Sequence, residues 1–196
     1  MRSKAMLSVL LILLAAALIG GATMAWFTDK TDLEAAEFTA GTLEISADGP
    51  NESALPDRHV DNINPGDTVT VCWDIKNIGT KRAELRAHLD TEWLTAGLSN
   101  DVYTYALPAD SDWVIYEEDG KTWFKYNAGP LAGTYDGDGD TVKLCVEVVF
   151  DGPLMGNDFQ GAKLEIGGEV EAVQTTNGAP EAVWGDAYVN AGGGQS

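Results

Sequence analysis

Three stretches of this chain change character at every second residue, a period that few architectures accommodate. From Thr68 to Asn77, Val69, Val71, Trp73 and Ile75 alternate with Thr70, Cys72 and Asp74. From Ala83 to Asp90, Ala83, Leu85, Ala87 and Leu89 alternate with Glu84, Arg86, His88 and Asp90. From Thr141 to Phe150, Val142, Leu144, Val146, Val148 and Phe150 share one side. Successive side chains on a strand point to opposite faces, so each stretch predicts a strand with one face on a core. A helix over 83–90 is compatible with composition, but the period there is two. Phe38–Ile45, with Leu43 and Ile45 on one face, predicts another strand. Trp113–Tyr116 and Lys121–Tyr126 flank Asp119-Gly120 as a hairpin, and Lys163–Gln174 closes the series with Gly167-Gly168 as a bulge. Ala47–Asn64 and Gly133–Asp140 are expected loops, and Ala191–Ser196 a mobile tail. No long amphipathic helix pattern follows the N-terminal apolar run, and no internal repeat stands out. About eight short strands at these spacings predict an all-β fold, a jelly-roll-like two-sheet sandwich.

A leader precedes the first strand. Arg2 and Lys4 lead into the uncharged run Ala5–Ile19, Gly20-Gly21 break it, and Thr23-Met24-Ala25 put small residues where a signal peptidase reads. The expectation is cleavage between Ala25 and Trp26, which sends the rest of the chain out of the cytosol. The alternative is an uncleaved anchor, since Ala5–Phe27 is 23 uncharged residues, enough to span a bilayer. The expected division is residues 1–25 as signal peptide, 26–38 as an N-terminal segment, 39–176 as the β-sandwich domain and 177–196 as the C-terminal tail.

The chain holds 12 Lys and Arg against 31 Asp and Glu, a net charge of −19. Loss of the leader, whose only charges are Arg2 and Lys4, takes it to −21. A polyanion of this density is repelled by nucleic acid and attracts divalent cations or basic partners. With 44% hydrophobic residues it is a folded domain and not an acidic disordered tail. Cys72 and Cys145, each mid-strand in an alternating pattern, are a candidate disulfide in an exported chain. The other reading is two buried thiols on neighbouring strands.

The order of motifs is informative. Gly20-Gly21-x-x-x-Ala25 is followed by Trp26-Phe27-Thr28-Asp29, then by Phe38–Ile45, and the Pro65-Gly66-Asp67 strand runs into Asn77-Ile78-Gly79-Thr80. The Asp119-Gly120 hairpin, a long strand ending Val149-Phe150, Asn157–Gly161 and Ala172-Val173-Gln174 complete the series. From about residue 20 to 175, this resembles the TasA/camelysin family of exported proteins, processed by a dedicated signal peptidase. The resemblance implies a jelly roll that polymerises with itself, head to tail, into extracellular matrix fibres or surface filaments, with other matrix proteins as further partners. It also implies that the segment freed by cleavage serves as a donor strand for the next subunit. Here that is Trp26 to Phe38, with Trp26, Phe27, Leu33 and Phe38 as its apolar groups. The Asn51–Asn64 loop and the two cysteines depart from the simplest members. Physical reasoning agrees: such a segment frays on a lone monomer, and finds backbone partners and pockets along another subunit's open edge. The alternative is an ordinary first strand of the same subunit.

Asp136, Asp138 and Asp140 on a Gly-rich loop are candidate Ca²⁺ ligands. Counting from Asp136 puts Glu147 at position twelve, but position six is Thr141 and Glu147 falls in a predicted strand, so the EF-hand pattern fits poorly. The other reading is a solvated acidic turn. Camelysin-like members are classed as metallopeptidases, and zinc hydrolysis needs about three ligands and an activated water. The chain has two histidines, His59 in a polar loop and His88 on an outward strand face, both expected at the surface, and no HExxH or G-x-S-x-G. The expected protein is therefore a non-enzymatic subunit requiring no cofactor. The rivals are a secreted metallopeptidase and a monomeric adhesion or glycan-binding module. For the last, Trp73, Trp113, Trp123, Tyr116 and Tyr126 are the candidate platform, although alternating aromatics more often form core. Asn51-Glu52-Ser53 is a glycosylation sequon.

Overall fold

The two cleanest alternations become the central pair of a sheet, β4 (Thr68–Asn77) and β9 (Thr141–Phe150), with the expected bounds. A computed structural model describes residues 28–29, 42–47, 54–135 and 137–192. The leader and cleavage site, Trp26, Phe27, Leu33, Phe38, Asn51 and Asp136 lie outside the described residues. The remaining strands are β1 (Thr28–Asp29), β2 (Ile45–Ala47), β3 (Ala54–Val60), β5 (Ala83–Trp93), β6 (Tyr103–Ala106), β7 (Trp113–Glu118), β8 (Lys121–Tyr126) and β10 (Leu164–Gln174). One helix, α1 (Ala179–Asn190), follows.

These strands form two antiparallel sheets, as the alternation requires. One runs β2-β4-β9-β6; the other runs β1-β10-β5-β8-β7, with β3 also on β10. Their facing sides bury Trp73, Ile75, Leu85, Phe124, Leu144 and Phe150 in one core. Asn77, fully buried at the end of β4, donates to the carbonyls of Lys81 and Leu131 and accepts from Gly79, tying three loops together. The Asp119-Gly120 turn has both residues at positive φ (52° and 74°), the geometry of a two-residue hairpin. The pairing of β10 with β3 shifts register between Ile166 and Gly168, where a bulge is expected.

The open question of the cysteines is closed. Cys72 lies directly opposite Cys145 in the β4–β9 register, with Cα atoms 4.1 Å apart, and the two are bonded. So short a separation marks a non-hydrogen-bonded pair, in which side chains are closest. The bridge sits on the outer face, behind the core pair Trp73 and Leu144.

Of the expected strand Phe38–Ile45, the described residues 42–44 are not strand, and β2 begins only at Ile45. Three further departures from the sequence reading have physical causes. Part of the expected loop 47–64 is strand β3, an edge strand whose buried residues, Leu55 and Val60, are five apart around a bulge, so no alternation announces it. Strand β6 is four residues, too short to show a period. The stretch read as a tail holds α1, which Pro180 and Glu181 start but which lacks an apolar stripe and is interrupted at Gly185 (φ 74°).

The disulfide joins residues 73 apart in sequence, a span for which loop entropy assigns about 4 kcal/mol. The double substitution Cys72→Ser, Cys145→Ser is expected to lower unfolding free energy by about 3–4 kcal/mol, read from denaturant midpoints at unchanged m-value.

Candidate functional site

The edge of β10 facing away from β5 is shared by two strands placed end to end. β3 covers Leu164 to Glu169, and β1 covers Ala172 and Val173, with Thr28 opposite Val173 and Asp29 opposite Ala172. Val170 and Glu171 lie between these two stretches. The first described residues, Thr28 and Asp29, thus sit on the chain's own β10, through a strand of two residues.

The outer face of the same sheet is polar by alternation, yet here it is covered. β5 sends Glu84, Arg86 and His88 outward; β10 sends Glu171 and Val173; β8 sends Trp123 and Lys125. α1 closes over them with Ala179, Trp184 and Tyr188, which join Val173 in a second, smaller core. Burial of that face demands partners for every charge. The Arg86 guanidinium donates to Glu171 Oε2 (2.9 Å), Glu118 Oε2 (2.6 Å) and Tyr116 Oη (3.3 Å). It also lies between two indoles, 3.8 Å from the Trp123 ring and 5.0 Å from the Trp184 ring. Burial opposes its charge, but Tyr116 and Glu171 outweigh burial and hold its pKa above the ordinary value.

Four hydrogen bonds attach the helix to this floor. Trp184 Nε1 donates to the same Glu171 Oε2 (2.9 Å) that Arg86 uses. Tyr188 Oη donates to Glu84 Oε2 (2.8 Å). Lys125 Nζ donates to the carbonyls of Tyr188 (2.9 Å) and Ala191 (3.0 Å), closing the helix C-terminus with a cation. Burial, reinforced by Glu84, pushes the Tyr188 phenol far up, and burial raises Tyr116 against the pull of Arg86.

The residues singled out from sequence do not converge. Asp138 and Asp140 are exposed, and the Asp140 carboxylate accepts the Ala132 N–H (2.7 Å). Trp73, Trp113 and Trp123 are buried and present no open platform. His59 is exposed and meets Glu165 at 2.8 Å. His88, expected at the surface, is 92% buried, because it lies against Trp123 (ring centroids 4.8 Å apart) and its Nδ1 has no hydrogen-bond partner. The two histidines flank β10 on opposite sides, at Glu165 and Glu169, about 13 Å apart along the strand alone. Among the described residues, no three His, Cys, Asp or Glu side chains are grouped to hold a metal ion. No helix among them is long and apolar enough to cross a membrane. Sequence reasoning missed Arg86, Glu171, Trp184 and Tyr188, because only the strand register sets Arg86 beside Glu171.

Residues 1–102 match a family model described as camelysin metallo-endopeptidase. No curated protein and no solved structure matches the chain.

Arg86→Ala leaves Glu171 and Glu118 facing one another without their cation, and is expected to cost about 3–5 kcal/mol in urea unfolding. The two raised phenols add stability that is fully present below the ordinary tyrosine pKa of about 10 and is lost as pH rises beyond it. Phenolate absorbance should therefore show a late alkaline step accompanied by loss of near-UV structure, and Tyr188→Phe should remove the largest part of it.

Proposed function

The chain belongs to the camelysin family, and from that membership we propose that it is an exported structural subunit which polymerises outside the cell by strand exchange. In this reading the leader is removed after Ala25, and the segment Trp26 to Phe38 pairs along β10 of the next subunit. The observation that carries it is the seat of β1: Thr28 and Asp29 pair with Val173 and Ala172 through two residues only. So short a strand contributes few ladder bonds, and a neighbour's copy offers the same bonds in the same register.

Head-to-tail exchange is a heterologous contact, which propagates unless its rotation closes. The net charge of −21 left after loss of Arg2 and Lys4 keeps unassembled subunits apart and lets Ca²⁺ or basic matrix partners promote assembly, with Asp138 and Asp140 as exposed contributors. A peptidase reading has the family's name in its favour, but among the described residues neither histidine belongs to a group of three possible metal ligands.

Deleting Trp26–Asp32 from the mature chain is expected to leave a folded monomer that forms no filaments by negative-stain microscopy. Filaments of ordinary length from that deletion would remove the donor role. Hydrolysis of a general protein substrate by the intact mature chain, abolished by a chelator, would replace the structural reading with the catalytic one.

A further inference from the structure

β1 and α1 converge on one short piece of β10 from two directions. β1 takes its edge at Ala172 and Val173. The Val173 side chain, fully buried, packs beneath the helix with Ala179, Trp184 and Tyr188. Two residues earlier, Glu171 receives both the Trp184 indole and Arg86 on a single oxygen. The link from β10 to α1 is tight: Thr176–Gly178 form one 3-10 turn, with Asn177 and Gly178 at φ 60° and 66°. A connection this short cannot absorb movement of the helix, and passes it to Gln174 and Val173. A strand of two residues has little stability of its own, so how long it stays depends on how firmly its partner strand is held.

We infer that α1 is the keeper of the N-terminal strand: by pinning Glu171 to Gln174 of β10, the docked helix holds the edge in the shape β1 needs, and its release loosens whichever strand is seated there. Trp184 is the positioning residue, because it joins the helix to both Glu171 and the Arg86 guanidinium. Tyr188 adds a second tie, to Glu84, whose partner across the ladder is Val173 itself. The consequence for assembly rests on the strand-exchange reading; the coupling between helix and strand is a property of the single chain.

Amide hydrogen exchange on the full mature chain carrying Trp184→Phe separates the two. The phenyl ring keeps an aromatic body under the helix and removes the N–H to Glu171. The expected result is exchange about tenfold faster in α1, in β1 and at residues 172–174, with β4 and β9 unchanged. Faster exchange in α1 alone would overturn the inference and leave the helix as a cover. Unchanged exchange in α1 would also overturn it, by removing Trp184 as the tie. Should Trp184→Phe loosen both sheets, Tyr188→Phe is read by the same local pattern, and a uniform loss there too overturns the coupling. Filament growth is scored separately. Local loosening in a chain that never forms filaments sustains the keeper and removes strand exchange; intact filaments without local loosening do the reverse.

Discussion

A backbone N–H or C=O taken out of water needs a partner, and β10 is where this demand shapes the rest of the molecule. On one side its ladder to β5 is continuous, eleven residues from Leu164–Trp93 to Gln174–Ala83. On the other side no single strand does the work: β3 serves the first half and β1 the end. A strand so placed belongs to the core through Leu164, Ile166, Val170 and Ala172, and to the outer layer through Glu171 and Val173. β1 and α1 both meet the sandwich there, so the two elements share one support.

The polar floor under α1 follows from the same arrangement. An outward strand face is charged because water ordinarily covers it, and a helix laid over it must accept those charges as they stand. Arg86 resolves this by satisfying two carboxylates and a phenol while its flat face lies against two indoles. Lysine could not do so, since an ammonium has neither the forked donors nor the stacking plane. An apolar floor would hold a helix as firmly, but in many positions; fixed donors and acceptors select one.

Long, strongly alternating strands were legible from sequence because burial on one face leaves a period in the residues. β4 and β9 came out residue for residue, and β5 was recognised as a strand though it runs on to Trp93. Elements held by partners rather than by their own pattern were not legible. β3 is strand because β10 needs its hydrogen bonds, and α1 is helix without an apolar stripe because two aromatic side chains suffice to dock it. The buried network was hidden for a related reason. Arg86 and His88 read as solvent-facing, correctly for the sheet, but nothing in 83–90 reveals that residues near 184 return to cover them. The ladder, and not the spacing of acids, decides which carboxylate does what: Asp140 braces its own loop, whereas Glu171 holds together a helix and an arginine.

The bond between Cys72 and Cys145 makes a covalent ring of β5 to β8 with the halves of β4 and β9 it joins. β1, β2 and β3 hang from one side of that ring, and β10 and α1 from the other. Both members of the β1–β10 contact are therefore outside the closed loop, and no thread passes through it when they part. Under the strand-exchange proposal, an oxidised subunit would give up or accept a terminal ribbon with its cross-link intact: the chemistry that hardens the body against unfolding places no topological bar on such a change of partner.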